Sequence, residues 1–351
     1  MKIVVLGGGI STERHVSLVT ATSICKALRS LGHKAIFVDM FFGLEDYVGP
    51  LEDAFDVPDG FCGDVAIEHV APDLEAIKAS RKLKSPSRLG RNVLEVCALS
   101  DFVFLGLHGE DGEDGKIQAA LELLGIPYAG SGPLSSAIAM DKAVAKKIMQ
   151  YHGIPTPAWK EFTVSKDGIE AIAEQCPLPC VVKVVNGGSS IGVYICEDGA
   201  SLRSALDDSV SFGGRVIVEQ KITGREFTVP VFDGRALSAI EIVPPEGNSF
   251  DYVAKYQSGA EGAKEICPAD ITAQEQEYLG GIALKLHNAL GLSVYSRTDI
   301  ILDEHGQGWC LEVNTLPGMT PASLIPKAAA LEGYSYAQLC EKIVELSLEK
   351  Q

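Results

Sequence analysis

The sequence predicts an α/β first domain followed by two α+β units. Three observations carry this. The chain opens on strand, glycine turn, helix and strand, the start of an open α/β sheet. After residue 215 short apolar runs follow one another across turns, as in antiparallel sheets. A length of 351 residues suits two or three domains at ~100–200 residues each. We place the units at 1–130, 131–218 and 219–351.

In order along the chain, residues 2–6 are an apolar run that meets Gly7-Gly8-Gly9. Val16, Val19, Ile24, Ala27, Leu28 and Leu31 then repeat at helical spacing, and Gly32 is a stop. Ala35 to Val38 is a second strand. Residues 41–95 hold four prolines and a basic stretch, Arg81 to Arg91, and predict loops and short helices. A buried strand runs from Phe102 to Leu107 and ends at His108. The glycine-rich turn 109–115 opens a helix with Ile117, Ala120, Leu121 and Leu124 on one face. Ile126-Pro127-Tyr128 starts a further strand. Asp141 is an N-cap for a helix through Tyr151, closed by Gly153 and Pro155. Val181 to Val184, a turn at 186–190 and Ile191 to Ile195 make a hairpin. Val216–Glu219, Glu226–Val229 and Ala236–Val243 are strands, and 272–290 is a helix stopped by Gly291. Two strands, Tyr295–Leu302 and Trp309–Val313, are followed by a last helix at 335–349.

Apolar residues make up 46% and charged residues 22%, an ordinary globular balance. A net charge of −17 repels phosphate backbones and argues against a nucleic-acid partner. No run of ~18 apolar residues is present, so no membrane span is expected. The apolar start lacks a small-residue cleavage site, so it reads as a strand rather than a signal segment. Nine scattered cysteines predict free thiols and a cytoplasmic location rather than a disulfide framework. Cys176 and Cys180 lack a second ligand pair, and no zinc site is expected there.

Several patterns carry chemistry, each with a plain alternative. Gly7 to Thr12 opening a helix would present free N–H groups to an anion, or be a tight turn only. It is not GxGxxG, which argues against a dinucleotide site, and Asp39 is the one acid at the second strand's end. Glu13 in the first helical turn suits the helix dipole, or a ligand. Gly187-Gly188-Ser189-Ser190-Ile191-Gly192 lets backbone wrap a phosphate, or is a flexible hairpin. Lys183, inside an apolar strand, either faces water or is a buried cation that needs an anion. Glu312 and Asn314, two apart, share a strand face. If the strands pair, Asp299 joins them as a hard oxygen set for Mg²⁺, with Arg297 on the same side; a salt-bridged sheet face is the alternative. His108 ends a strand where α/β sheets bind ligands, or is a satisfied core histidine. Lys255 lies in a glycine-containing loop that could close over a phosphate, or stay solvated.

Together these segments resemble the D-alanine–D-alanine ligases of the ATP-grasp superfamily. The resemblance rests on Gly7 to Ser17, Leu107-His108-Gly109, Gly112 to Gly115, Met140-Asp141-Lys142 and Gly188 to Gly192. It continues through Gly224 to Val229, Asp251 to Tyr256, Arg297-Thr298-Asp299, Glu312 to Thr320 and Ser323-Leu324, in family order over nearly the whole chain. It implies a three-domain ATP-grasp fold with ATP between two antiparallel sheets. It implies that one D-alanine carboxylate takes the γ-phosphate, and that the amine of a second attacks the acyl phosphate.

By position the resemblance implies that Glu13 orients the first substrate's ammonium and His108 lies near its carboxylate. Lys142 and Lys183 meet the α- and β-phosphates, with Ser190 beside them. Glu219 and Glu226 contact adenine and ribose, and Lys255 reaches the outer phosphates. Asp299, Glu312 and Asn314 hold two Mg²⁺ ions, which Mn²⁺ could replace. Arg297 and Gly318 stabilise the oxyanion, and Ser323 and Leu324 hold the second carboxylate. Ser189, Tyr256 and Glu13 form a triad that ties the loop shut, and Tyr256 favours D-alanine over D-lactate. A homodimer in the cytoplasm is expected, serving peptidoglycan precursor synthesis. The chain departs from the family at Val184, where many members have proline. It also departs at Gly187-Gly188 and at Ala322, where some have larger polar residues or histidine. Two other readings differ from this one. A relative could join D-alanine to another D-amino or D-hydroxy acid. A non-catalytic nucleotide binder would have lost a lysine or metal ligand, and none is lost.

Overall fold

The computed structural model describes residues 1–63, 72–188, 191–244 and 263–350. The first domain holds β1 (Lys2–Gly7), α1 (Arg14–Ser30), β2 (Lys34–Asp39), α2 (Leu74–Ser80), α3 (Val93–Ala98), β3 (Phe102–Leu105) and α4 (Lys116–Leu123). The strands form a parallel sheet in the order β2-β1-β3. Ile3 to Leu6 are fully buried, which is why the middle strand is apolar without alternation. The glycine turn after β1 and the segment after β3 both leave the sheet at its carboxyl edge, where open sheets place ligands. Gly32, at φ +91°, closes α1 by donating its N–H to Arg29 O at 3.0 Å.

Five local expectations need correction. Leu31 and Leu124 are 45% and 50% exposed, because each flanks its helix end rather than lying on the buried face. Glu13 precedes α1 instead of sitting in its first turn, so Gly7–Gly9 are not the helix N-terminus. The stretch 126–128 makes a single bridge from Val103 to Tyr128, not a strand. Cys25 and Cys62 are joined in a disulfide, because the chain after the 3-10 turn Leu51–Asp56 folds Cys62 back onto α1; the other seven cysteines are free.

The second unit holds α5 (Pro133–Met140), α6 (Lys142–Tyr151), β4 (Trp159–Thr163), α7 (Ile169–Ala173), β5 (Cys180–Val184), β6 (Val193–Cys196), α8 (Gly199–Ser209) and β7 (Arg215–Gln220). Its antiparallel sheet runs β4-β7-β5-β6, and β5–β6 is the expected hairpin. Asp141 caps α6 by accepting Val144 N–H at 2.9 Å.

The third unit holds β8 (Gly224–Phe232), β9 (Arg235–Ala236), β10 (Ile240–Val243), β11 (Lys264–Ile266), α9 (Ala273–Ala289), β12 (Tyr295–Asp303), β13 (Gly308–Asn314), α10 (Leu324–Leu331) and α11 (Tyr336–Lys350). Its sheet runs β11-β10-β8-β12-β13, with β9 on β8. Leu279, Ala283 and Leu286 of α9 bury one face of that sheet against Phe227, Val229 and Ile300. The last helix, α11, packs on α1, so Leu339, Ile343 and Val344 enter the core of the first domain. Among the described residues no helix is long and apolar enough to cross a membrane.

Candidate active site

A cleft of about 220 Å³ separates the two antiparallel sheets. One end is aliphatic, lined by Val181, Val193 and Ile195 from one sheet and Ile301 and Leu311 from the other. The other end is charged, lined by Lys142, Lys183, Asp299 and Glu312, and Glu219, opposite Val181 of the aliphatic wall, stands where the two ends meet. Apolar walls at one end and fixed cations at the other suit a planar base that carries phosphates. Glu226 lines the same cleft from β8.

The strand registers explain the charged end. Lys183 faces Ile217 on β7, and Val181 faces Glu219, so Lys183 and Glu219 are diagonal neighbours on one face. They form an ion pair, which makes Lys183 the buried cation with an anion and not an exposed edge lysine. Burial works against the Lys183 charge, but Glu219 and then Glu312 outweigh it and raise its pKa. Lys142, at the start of α6, donates to Gly187 O at 2.7 Å and lies 3.4 Å from Glu312. Lys146 is buried one helical turn on and pairs with Glu219 at 2.7 Å. Lys146 is not among the residues singled out from the sequence. The signal was there: residues 142, 146 and 149 share the buried face of α6.

β12 and β13 bring the acidic set together. Asp299 is directly opposite Glu312, and Arg297 is opposite Asn314. Arg297 donates to both Asp299 oxygens at 3.2 Å, and Thr228 donates to Asp299 Oδ1 at 2.7 Å. Asn314 Nδ2 is 3.5 Å from Asp299. Two carboxylates and an amide are hard donors but too few to enclose a cation alone. They fit a divalent ion completed by phosphate oxygens at the cleft.

At the far end of the site stands the first domain. Glu13 is buried between two glycines: a Cβ on Gly109 or on Gly188 would come within 2.7 Å of its Oε2. That close approach, with φ +72° at Gly109, requires glycine. His108 has both ring nitrogens engaged, Nδ1 with Leu316 O at 2.9 Å and Nε2 with Thr20 Oγ1 at 3.0 Å. Its burial lowers its pKa and favours the neutral ring. Glu113, a second residue not singled out, accepts Gly109 N–H at 2.8 Å and Leu316 N–H at 3.1 Å, joining the first and third units. Burial and then Glu13 push its pKa up to about 7. Asp39 is the counter-ion of Arg14 at 2.5 Å and caps Phe41 N–H, so it is not a ribose reader.

Ser323 precedes α10, with its hydroxyl 3.0 Å from Thr320 N and 2.8 Å from Thr320 Oγ1; Leu324 is the first residue of that helix. A Cβ on Gly318 would meet Ser323 Oγ at 3.0 Å. Ser189, Ser190, Lys255 and Tyr256 lie outside the described residues.

Two antiparallel sheets clasping a cleft, with Lys183 on one, Lys142 on the helix beside it and a carboxylate pair on the other, define an ATP-grasp enzyme. Family models described as D-ala D-ala ligase N-terminus and C-terminus match residues 2–131 and 148–345. The D-alanine–D-alanine ligase of Pediococcus pentosaceus is 44% identical over 98% of this chain and 97% of its own length. That of Lacticaseibacillus casei is 39% identical over 99% and 96%. The Bacillus anthracis ligase complexed with ATP superposes with a TM-score of 0.71 at 31% identity, covering 100% of this chain and 98% of that one. The VanG D-Ala:D-Ser ligase of Enterococcus faecalis superposes with a TM-score of 0.75 at 28% identity, covering 99% of each chain. The chain belongs to the D-alanine–D-alanine ligase family.

Proposed function

We propose a residue-level route for the reaction of this enzyme, the ATP-dependent joining of two D-alanines into D-alanyl-D-alanine for peptidoglycan precursors. The observation that carries it is continuity. The nucleotide cleft and the smaller cavity beside Glu113 share Lys142, Gly187, Gly188 and Glu312. The cavity along Glu13 shares Gly187 and Gly188 with both. A phosphate held at the lysines therefore faces a small molecule held at Glu13.

In this route the base lies on the aliphatic walls, with Glu219 and Glu226 at adenine and ribose. Lys142, Lys183 and Ser190 meet the inner phosphates, and Lys255 the outer ones. Asp299, Glu312 and Asn314 would hold the divalent ions this family generally requires. We assign two Mg²⁺ ions, replaceable by Mn²⁺, which Asp299, Glu312 and Asn314 would hold. Bound there, the ions neutralise charge on the phosphate oxygens. Glu13 anchors the first D-alanine's ammonium beside His108, and its carboxylate oxygen attacks the γ-phosphorus, giving an acyl phosphate and ADP. Ser323 and Leu324 position the second D-alanine, whose amine attacks the carbonyl carbon. Arg297 and Gly318 meet the oxyanion, and phosphate leaves. The triad of Glu13, Ser189 and Tyr256 closes the loop and selects D-alanine over D-lactate. We further assign the domain limits 1–130, 131–218 and 219–351 and a homodimer.

The test is phosphate release from ATP and Mg²⁺ with D-alanine alone, then with D-serine or D-lactate added, the products identified by mass. D-alanyl-D-alanine as the main product is expected. Release only with a mixed pair, such as the D-Ala:D-Ser pair for which the VanG ligase is named, would move the second-substrate assignment.

A further inference from the structure

The route above leaves Lys146 without a role. It is fully buried in α6. Its ammonium forms an ion pair with Glu219 Oε2 at 2.7 Å. It also donates to Thr156 Oγ1 at 2.6 Å, and that hydroxyl donates to Cys310 O at 2.8 Å. The other oxygen of Glu219, Oε1, belongs to Lys183. One buried carboxylate thus lies between two buried ammonium groups. Neutrality needs only one of them, so the second calls for a reason.

The reason lies in what nucleotide binding does to this trio. Lys183 lines the cleft and is neutralised by Glu219; phosphates entering the cleft compete for it. When Lys183 turns to them, Glu219 stays buried at the base end and would lose its counter-charge. A buried carboxylate stripped of its partner is strongly unfavourable. Lys146 cannot follow the phosphates, because Thr156 and the buried face of α6 hold it. We propose that Lys146 is a positioning residue that keeps Glu219 ionised and fixed through Oε2 while Lys183 passes from Glu219 Oε1 to the phosphates. The freed Oε1 can then accept from the base. This rests on the reading that the cleft takes ATP. The pKa of Glu219 moves in the direction this needs, while that of Lys146 shows what burial costs its ammonium. Burial lowers that of Lys146, while Lys183 and Lys146 together outweigh burial and lower that of Glu219.

The test is ADP binding by calorimetry, with steady-state kinetics, on wild type, Lys146→Met, Glu219→Gln and the double variant. In Lys146→Met, Glu219 holds Lys183 as its sole counter-ion and resists its release. ADP affinity should fall ~tenfold or more and the KM for ATP should rise in step, as for loss of one charged partner. The KM for D-alanine and kcat should change less than ~threefold, because the loss is in nucleotide binding. In the Glu219→Gln background the same substitution should change ADP affinity less than ~threefold, because no charge is left to offset. That non-additivity separates the proposal from a packing role, which would cost the same in both backgrounds. If Lys146→Met does not fold, Lys146→Gln, which keeps a donor without the charge, is read the same way. Unchanged ADP affinity in the folded variant, or an equal loss in both backgrounds, overturns the proposal. If wild type itself does not bind ADP, the nucleotide reading falls, and this inference with it.

Discussion

Glu312 faces Asp299 across β12 and β13, with Lys142 at 3.4 Å. Its carboxylate lines both the cleft and the cavity beside Glu113, which on the proposed route is where charge moves in the phosphoryl step. Glu312→Gln should lower turnover by at least ~10³-fold with little change in folding, since a charge on the metal and phosphate is lost. Phosphate-release kinetics would check it, and activity within ~tenfold of wild type would remove Glu312 from the site. At this scale the acid set was legible, because a two-residue spacing on a strand fixes a common face whatever the rest of the fold does. Lys183 was readable only as an alternative, since a lysine in an apolar run is a surface or a buried group until its partner is known. Glu219, its partner, comes from a strand 36 residues later. Glu113 stood within the segment Gly112 to Gly115 without a role of its own, because it joins two backbone N–H groups that only the fold brings together.

Among the elements, α9 shows how one helix couples burial to pH. Thr272 and Glu275 form a reciprocal capping box that starts it. Near its end His287 is buried, with Nδ1 2.7 Å from Ser296 Oγ on β12. Burial lowers its pKa from 6.5 to about 4. The unfolded chain takes up a proton near the ordinary value while the folded chain resists it. Stability is therefore lost as pH falls from the ordinary value towards about 4. Between about pH 7.5 and about pH 5 the loss from this group is about 2 kcal/mol. His287→Gln should flatten the acid slope by that amount in urea titrations; an unchanged slope would place the effect elsewhere. The strong helices and buried strands were legible because their periodicity reports a face. The edge strand β4 and the short helices α5, α7 and α8 were not. β4 is only half-buried along most of its length, so it shows no clear alternation. α8 is announced by its Asp198–Ser201 cap more than by its pattern.

For the whole molecule, the chain's order and its packing differ. α11 ends the sequence, yet it packs on α1, and the C-terminal residues Leu339, Ile343 and Val344 belong to the same core as Ile3 to Leu6. Glu113 adds a polar tie between β3's loop and Leu316. The first and third units are therefore coupled in stability. Leu339→Ala, at a fully buried position, should cost ~2–5 kcal/mol, and proteolysis should then open the first domain as well as the last helix. Loss confined to the C-terminus would contradict the shared core. This docking was not legible in the sequence: amphipathic spacing shows that a helix buries a face, not which face it meets. The order of sheet types, one parallel and then two antiparallel, was legible, since sheet type follows from the local alternation of strands, turns and helices.

On the proposed route the γ-phosphate held at the lysines passes to the carboxylate of a D-alanine whose ammonium is held at Glu13. The most direct measurement uses D-alanine labelled with oxygen-18 in its carboxylate, with ATP and Mg²⁺, and mass analysis of the released phosphate. Attack through that carboxylate leaves a labelled oxygen on phosphorus when the amine displaces it, so the account predicts labelled phosphate in step with D-alanyl-D-alanine. Product formed with unlabelled phosphate would contradict it.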